Sequence, residues 1–387
     1  MKAVLVTFSR AYNNGALLQC YALSRAIEEA GNECVVLDYY PYYFKELYNV
    51  TKRFKITHPP IKTYLHRFAL RKVLKKRNKN YNDFICKNLR MSETFGNIEK
   101  IDRKCPDADF FVTGSDQVWN YGCTYFDKVF FLDFEKARKS KRYSYAACLG
   151  FKRNKLNDEY FSEYKRRLSG YEGLSVREAS SVPIIEEITG EKVRLDVDPT
   201  ILLEASEWER IAEKCSESLP YILIYYVQRT EKLQIYAKML QKIYRDNNEE
   251  VKVICVPCNT SYEVLSGKID KKYDFDFRPD VGPAQLLGLI KGAKFVLTNS
   301  FHGSVFSIIF EKSFLAQEIE DSGKLNVRID ELLKQFGLDD RVISDKRDLK
   351  KAFDNINYMD VRNILDSLRR DSLEYIRNMG KNEEWKN

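Results

Sequence analysis

His302 is one of only three histidines in the chain, and its surroundings single it out. It stands in Thr298-Asn-Ser-Phe-His-Gly-Ser304, where an apolar strand-like run (FVLTN) meets the first turn of an apolar helical stretch (SVFSIIF). A helix N-terminus presents free N–H groups and the positive end of the helix dipole, a setting that suits an anion. An imidazole in that turn could pass a proton to a reacting group. The alternative is a histidine that only caps the turn. Arg177 closes a second strand-like run, Leu174–Arg177, so its guanidinium is expected to project beyond the strand end and grip a carboxylate or phosphate. A surface ion pair with Glu178 or Asp196 is the competing reading.

Two more strand ends carry unusual polar content. Ser9-Arg-Ala-Tyr-Asn-Asn-Gly15 sets Asn13 and Asn14 just ahead of a helix, an anion-binding geometry that ordinary Asn-Gly turns also adopt. Gly114-Ser-Asp-Gln-Val-Trp119 gathers a hydroxyl, a carboxylate, an amide and an indole. Ser115, Asp116 and Gln117 could bind sugar hydroxyls while Trp119 lies on a pyranose face; the alternative is an Asx-type turn over a core tryptophan. Asp196-Val-Asp198-Pro199 has the look of a DxD metal motif, but its proline and apolar flanks favour a strand-end turn. Cys255-Val-Pro-Cys258 lacks the second pair that zinc would need and reads as packing.

Such groups act together only if the fold collects strand ends. Lys2–Phe8, a helix from Gly15 to Ala30 and Cys34–Leu37 form a βαβ unit, which implies a parallel sheet. Strand-like runs continue at Asp109–Thr113, Arg142–Cys148 and Leu174–Arg177, with helices at 156–168 and 178–188 and an extended piece over Val193–Leu202. Ser206-Glu-Trp-Glu209 reads as a capping box opening a helix over 204–218. After Pro220 the alternation restarts: strands at 221–227, 251–256, 294–298 and 314–317, and helices at 231–246, 283–292 and 302–311. From about Tyr358 the chain reads as one polar helix. The expected fold is α/β, with two Rossmann-like domains, 1–205 and 206–387, facing a cleft. A basic helical insertion occupies about 45–90, and the terminal helix is placed to pack back on the first domain. Ligands of open α/β sheets sit beyond the carboxyl ends of the strands, which makes the cleft the expected site.

At 387 residues, 44% hydrophobic and 13% aromatic, the chain can bury a sizeable core, which excludes a disordered protein or a disulfide scaffold. No apolar run approaches the roughly 18 residues of a spanning helix, and MKAVLVTFSR is too short in apolar residues for a secretory signal. Nine scattered cysteines fit reduced thiols in a cytoplasmic protein. The net charge of +8 comes from one place: residues 47–82 hold eleven Lys or Arg and no acid, and without them 53 basic face 56 acidic residues. A nucleic-acid-binding face is therefore not expected. A basic amphipathic helix can lie on an anionic membrane; otherwise its apolar face packs on the domain.

Taken together, FSRAYNNGALLQCYAL, DFFVTGSDQVWN, SYAACLG, LSVREASS, DVDPTILL and PAQLLGLIKGAKFVLTNSFHGSVFSIIF, with NVRIDELL behind it, resemble the polysaccharide pyruvyl transferase family over most of the chain. The resemblance implies a GT-B-like fold and transfer of pyruvate from phosphoenolpyruvate onto a sugar of a cell-surface polysaccharide precursor. The product would be a ketal, with phosphate released and no metal or other cofactor. The acceptor is expected on the first domain, at Asn13, Asn14, Ser115, Asp116, Gln117 and Trp119. On the donor side, Arg177 matches the arginine that holds the donor anion and His302 the general acid, with Asn299, Ser300, Phe301 and Gly303 beside them. Several members have an arginine where Ser300 stands here; Arg328, Arg10 or Lys324 could supply that cation. Acceptors in such pathways are often linked to a polyprenyl diphosphate, which would bring a peripheral membrane protein to the inner face of the membrane through residues 52–79. A glycosyltransferase using a nucleotide sugar and a non-catalytic glycan-binding relative are the competing functions.

Overall fold

The computed structural model describes residues 1–48, 61–151, 153–228, 230–258, 265, 267–318 and 323–381. β1 (Lys2–Val6) is buried at every position but Lys2, as a central parallel strand must be. Asn13 accepts the Ala16 N–H and so caps α1 (Asn14–Glu29), and Gly31, at φ 86, turns the chain back. β2 (Glu33–Val36) then pairs parallel to β1. On the other side of β1 lies β3 (Phe110–Thr113), with Ala3 opposite Phe110 and Val6 opposite Thr113, followed by β4 (Lys141–Ser144). β5 (Leu174–Val176) and β6 (Val193–Leu195) form a parallel pair that bridges to the β4 segment at Tyr143–Gly173 and Ala147–Val176. The first sheet thus has the order β2-β1-β3-β4 and continues toward β5 and β6.

The second sheet contains β7 (Tyr221–Tyr226), β8 (Lys252–Pro257), β9 (Asp276–Phe277), β10 (Phe295–Thr298), β11 (Phe314–Gln317) and β12 (Val342–Ile343), in the order β12-β11-β10-β7-β8-β9. Every ladder between described strands is parallel. The strand order changes direction at β1/β3 in one sheet and at β7/β10 in the other, and these switch points open the crevices where α/β folds bind ligands. The two sheets share a core. Tyr21 of α1 meets Trp208 edge-on at 5.7 Å, and Trp208 meets Phe306 at 4.9 Å. The terminal helix (Tyr358–Asn378) packs back on the first half, where the Tyr375 hydroxyl donates to the Ser144 carbonyl and Ser372 to Asp196.

Two local expectations need correction. The helix after Leu203 runs only over Ala205–Ile211 and is entered at Glu204, so the Ser206…Glu209 pair lies inside it and forms no capping box. The extended piece at 193–202 is split into β6 and a helical turn, Pro199–Leu202, capped by Asp198. The basic segment forms α2 (Tyr42–Tyr48) and α3 (Ile61–Asn88), while residues 52–60 lie outside the described residues. Over residues 70–88, α3 packs on the domain: Leu70, Tyr81, Phe84 and Ile85 are buried. Arg77 is buried with them and donates to the carbonyls of Pro257, Cys258 and Pro279. Arg71, Lys72, Lys75, Lys76 and Lys79 stay exposed. No described helix is long and apolar enough to cross a membrane.

Candidate active site

At the end of β10 the Thr298 hydroxyl donates to the Tyr225 carbonyl and accepts the Ser300 N–H. Asn299 accepts the Val227 N–H and donates to the Gln228 carbonyl, which ties β10 to the end of β7. Ser300 caps the helix Phe301–Ile309 by accepting the Gly303 N–H, and Gly303 packs where a Cβ would meet Thr298 Oγ1 at 2.3 Å. With this first turn fixed, His302 reaches across to the first half of the chain. Its ring lies on Gly15 so closely that a Cβ there would stand 2.0 Å from Nδ1. Its Nε2 is buried, 3.7 Å from Asp198 Oδ2, and finds no hydrogen-bond partner among the described residues.

Asp198 binds the Thr200 N–H and hydroxyl through Oδ1 and receives Arg177 Nη1 on Oδ2 at 2.7 Å. Burial works against the charged carboxylate, but His302 and Arg177 outweigh it and hold Asp198 below the usual carboxylate range. Arg177 also donates from Nε and Nη2 to Glu178, and its guanidinium lies 4.4 Å over the Phe301 ring. Burial disfavours its charge, while Glu178, Cys148 and Asp198 more than offset this and raise its pKa. Cys148 places its thiol 2.7 Å from Glu178 Oε1. Burial and Glu178 push that thiol's pKa up, whereas Arg177 and Arg328 pull it down.

His302 and Arg177 therefore meet, as do Phe301 and, through its charge, Arg328. Arg177 does not project freely into the cleft: it is an ion pair with Glu178, buried instead of at the surface, and its second acid is Asp198, not Asp196. The turn reading of Asp196-Val-Asp198 is what the structure adopts, yet Asp198 belongs to the site, a role the turn reading passed over. The signal was available, since it too follows a strand end. Arg328 lies within the helix Gly323–Gln335. Arg10 is ion-paired with Asp38; the Lys324 side chain lies outside the described residues. Cys255 and Cys258 are buried free thiols.

A cavity of about 680 Å³ opens at the β1/β3 switch point, lined in part by Asn13, Ala16, Asp116 and Gln117. The remaining acceptor-side residues do not face it. Trp119 is 0% exposed, stacked on Phe131 in the core, and offers no face to a sugar. Ser115 is buried with its hydroxyl on the Ala146 carbonyl, and Asn14 is buried within the first turn of α1. Sequence reasoning missed the tyrosines of the lining, Tyr42, Tyr43 and Tyr125.

Parallel sheets meeting at their ligand-binding ends, with a histidine, two acids and an arginine where they meet, define an α/β enzyme that works at a cleft. The profile described as polysaccharide pyruvyl transferase matches residues 13–316. The chain belongs to that family, and is thus a transferase of polysaccharide biosynthesis. No curated protein matches it. Similar solved structures include S. aureus MnaA with UDP, at 12% identity and TM-score 0.48, covering 98% of this chain and 95% of that one. The UDP-GlcNAc 2-epimerase of Methanocaldococcus jannaschii gives 13%, 0.45, and 91% of each chain. Arabidopsis thaliana UGT89C1 complexed with UDP gives 9%, 0.48, and 98% and 99%.

Proposed function

We propose that the enzyme moves pyruvate from phosphoenolpyruvate onto two hydroxyls of a sugar in a cell-surface polysaccharide precursor, forming a ketal and releasing phosphate. The observation that carries this reading is His302, a buried imidazole in the first turn of a helix, with an unbonded Nε2 and a carboxylate beside it. His302 donates a proton to the donor methylene, which becomes a methyl group and leaves C2 electrophilic. One sugar hydroxyl adds to C2, phosphate departs, and the second hydroxyl closes the ring. Of the two hydroxyl protons, one replaces the proton given to the methyl group and the other leaves with phosphate. The N–H groups of Phe301 and His302 and the charge of Arg328 receive the donor's anionic groups, with Arg177 holding Asp198 and the Phe301 ring in place beneath them, while Asn13, Asp116 and Gln117 face the acceptor. No metal or other cofactor enters the scheme.

The acceptor reading extends to a polyprenyl-diphosphate-linked glycan at the inner membrane face. The exposed cations of α3 support this, each worth about 1 kcal/mol near an anionic surface.

The test is thermal stabilisation by phosphoenolpyruvate compared with UDP, GDP and CMP, in the wild type and in His302→Ala. A ligand at 100 times its Kd adds about 2.7 kcal/mol. Stabilisation by phosphoenolpyruvate alone, weakened in the variant, is the expected result. Stabilisation by a nucleotide, with none from phosphoenolpyruvate, overturns the reading in favour of nucleotide-sugar transfer.

A further inference from the structure

The cavity at the β1/β3 switch point has a chemistry that the donor steps do not use. At about 680 Å³ it falls within the roughly 300–1,000 Å³ of small-molecule sites. Among the described residues its lining holds one carboxylate, Asp116, and no Lys or Arg, a set that favours hydroxyls over an anion. Tyr125 is 73% and Tyr42 66% exposed, unusual for large rings, and grouped exposure of this kind marks ligand surfaces. Tyr43 is anchored: its hydroxyl donates to Asp127 at 2.9 Å, and its ring meets Tyr125 edge-on at 5.6 Å. Asp116, Tyr125 and Phe126 have φ of 65, 53 and 55, a left-handed conformation costly for bulky residues. Two of these three line the cavity, and the third neighbours it in sequence.

We infer that Tyr42, Tyr43 and Tyr125 form a stacking wall that holds one pyranose of the acceptor by its C–H face, while Asp116, Gln117 and Asn13 take its hydroxyls. This rests on the reading of the enzyme as one that transfers to a sugar. A pyranose has an apolar C–H face and a rim of hydroxyls, which matches tyrosine rings set beside one carboxylate and two amides. The position suits the chemistry as well, because Asn13 and Ala16 flank Gly15, on which the His302 ring rests. α2, from the insertion that follows β2, supplies Tyr42 and Tyr43, so that insertion shapes the acceptor site.

Cys123 provides a readout independent of turnover, since it lines the cavity and is exposed, whereas Cys86, also exposed, lies on α3 outside the lining. The full-length chain is labelled with N-ethylmaleimide in the presence of millimolar methyl glycosides of galactose, glucose or mannose, and each thiol is followed by peptide mass spectrometry. At least one glycoside should slow Cys123 several-fold and leave Cys86 unchanged. Tyr125→Ala should raise the half-protecting concentration about 2- to 10-fold and Tyr125→Phe restore it. Asp116→Asn, which tolerates the left-handed backbone, should raise it about 10-fold. Protection by no glycoside, or protection indifferent to Tyr125→Ala, overturns the stacking wall, whatever phosphoenolpyruvate does. Cys123 protection in a protein that phosphoenolpyruvate fails to stabilise upholds the wall and removes only the donor reading.

Discussion

Adding one methyl group at Gly15 tests whether His302 works where the structure puts it. An alanine Cβ would lie 2.0 Å from Nδ1, 2.5 Å from Cγ and 2.6 Å from Cε1 of His302. Unstrained contacts need about 3.5–4.0 Å, so the ring must retreat by on the order of 1 Å or more. A misplacement of about 1 Å costs roughly 10²-fold in rate, and full loss of the acid roughly 10²- to 10⁴-fold. Gly15→Ala should therefore lower turnover at least about 10²-fold. Global stability should change little, because alanine is preferred to glycine in a helix by about 0.5–1 kcal/mol, which offsets part of the crowding. On the proposed reaction, phosphate release from phosphoenolpyruvate with an acceptor measures the first effect, and urea unfolding measures the second. Since the methyl group acts through one ring, Gly15→Ala should add almost nothing in a His302→Ala background. Activity within about twofold of wild type, or an undiminished further loss in that background, would falsify the placement of His302.

Asp198→Asn keeps the shape but leaves Arg177 short of one acid, and breaking a buried pair costs about 3–5 kcal/mol; urea midpoints at neutral pH report it. Because Asp198 is held below its ordinary pKa, the stability it contributes is complete above the unfolded value of about 3.9 and fades as pH falls through the lower folded value. The difference between Asp198→Asn and wild type should accordingly shrink in acid; a gap constant from pH 7 to pH 2 would contradict the pairing. Trp119→Ala should cost about 3–5 kcal/mol as a core truncation, while Trp119→Phe leaves glycoside protection of Cys123 unchanged. Loss of that protection in a stable Trp119→Phe protein would return the indole to the acceptor site. Arg77→Met strands the carbonyls of Pro257, Cys258 and Pro279, at about 1–3 kcal/mol for each left unsatisfied. Arg77→Lys should recover only part of the urea midpoint, as a single ammonium lacks the guanidinium fork.

Most of the fold was legible because each element carries its own period and punctuation. The helix Pro283–Gly292 starts where Gly282-Pro283 demands, and Glu231–Asp246 repeats its apolar face at helical spacing. The misplaced boundary, the end of the Ala205 helix at Ile211 instead of 218, has a tertiary counterpart: just beyond it the Glu213 N–H donates to the carbonyl of Ala284, on a helix that only the folded chain brings near. His302 and Arg177 were visible as chemical types at strand ends. The environment of Arg177 was not, since its pairing with Asp198 arises only when β5 and β6 align Val176 with Leu195. The two readings of Trp119 could not be separated in sequence because its stacking partner, Phe131, arrives with a later segment of the chain; the core one holds. The tyrosine wall escaped notice for a similar reason, as Tyr42 and Tyr125 converge only through the β1/β3 crevice.

The site belongs to neither sheet alone. His302 comes from the second sheet, whereas its seat on Gly15 and the carboxylate facing it come from the first. Trp208 fastens these parts together. Its indole N–H donates to the carbonyl of Thr200, in the turn that Asp198 caps. Its ring touches Tyr21, on the helix that starts beside Gly15, and Phe306, one turn beyond His302 on the same helix. A displacement of either sheet would thus move imidazole, carboxylate and acceptor crevice against one another, and a densely packed interior transmits such shifts instead of absorbing them. The shared core is therefore part of the site. It sets the distance between the imidazole carried by one sheet and the crevice at the β1/β3 switch point of the other.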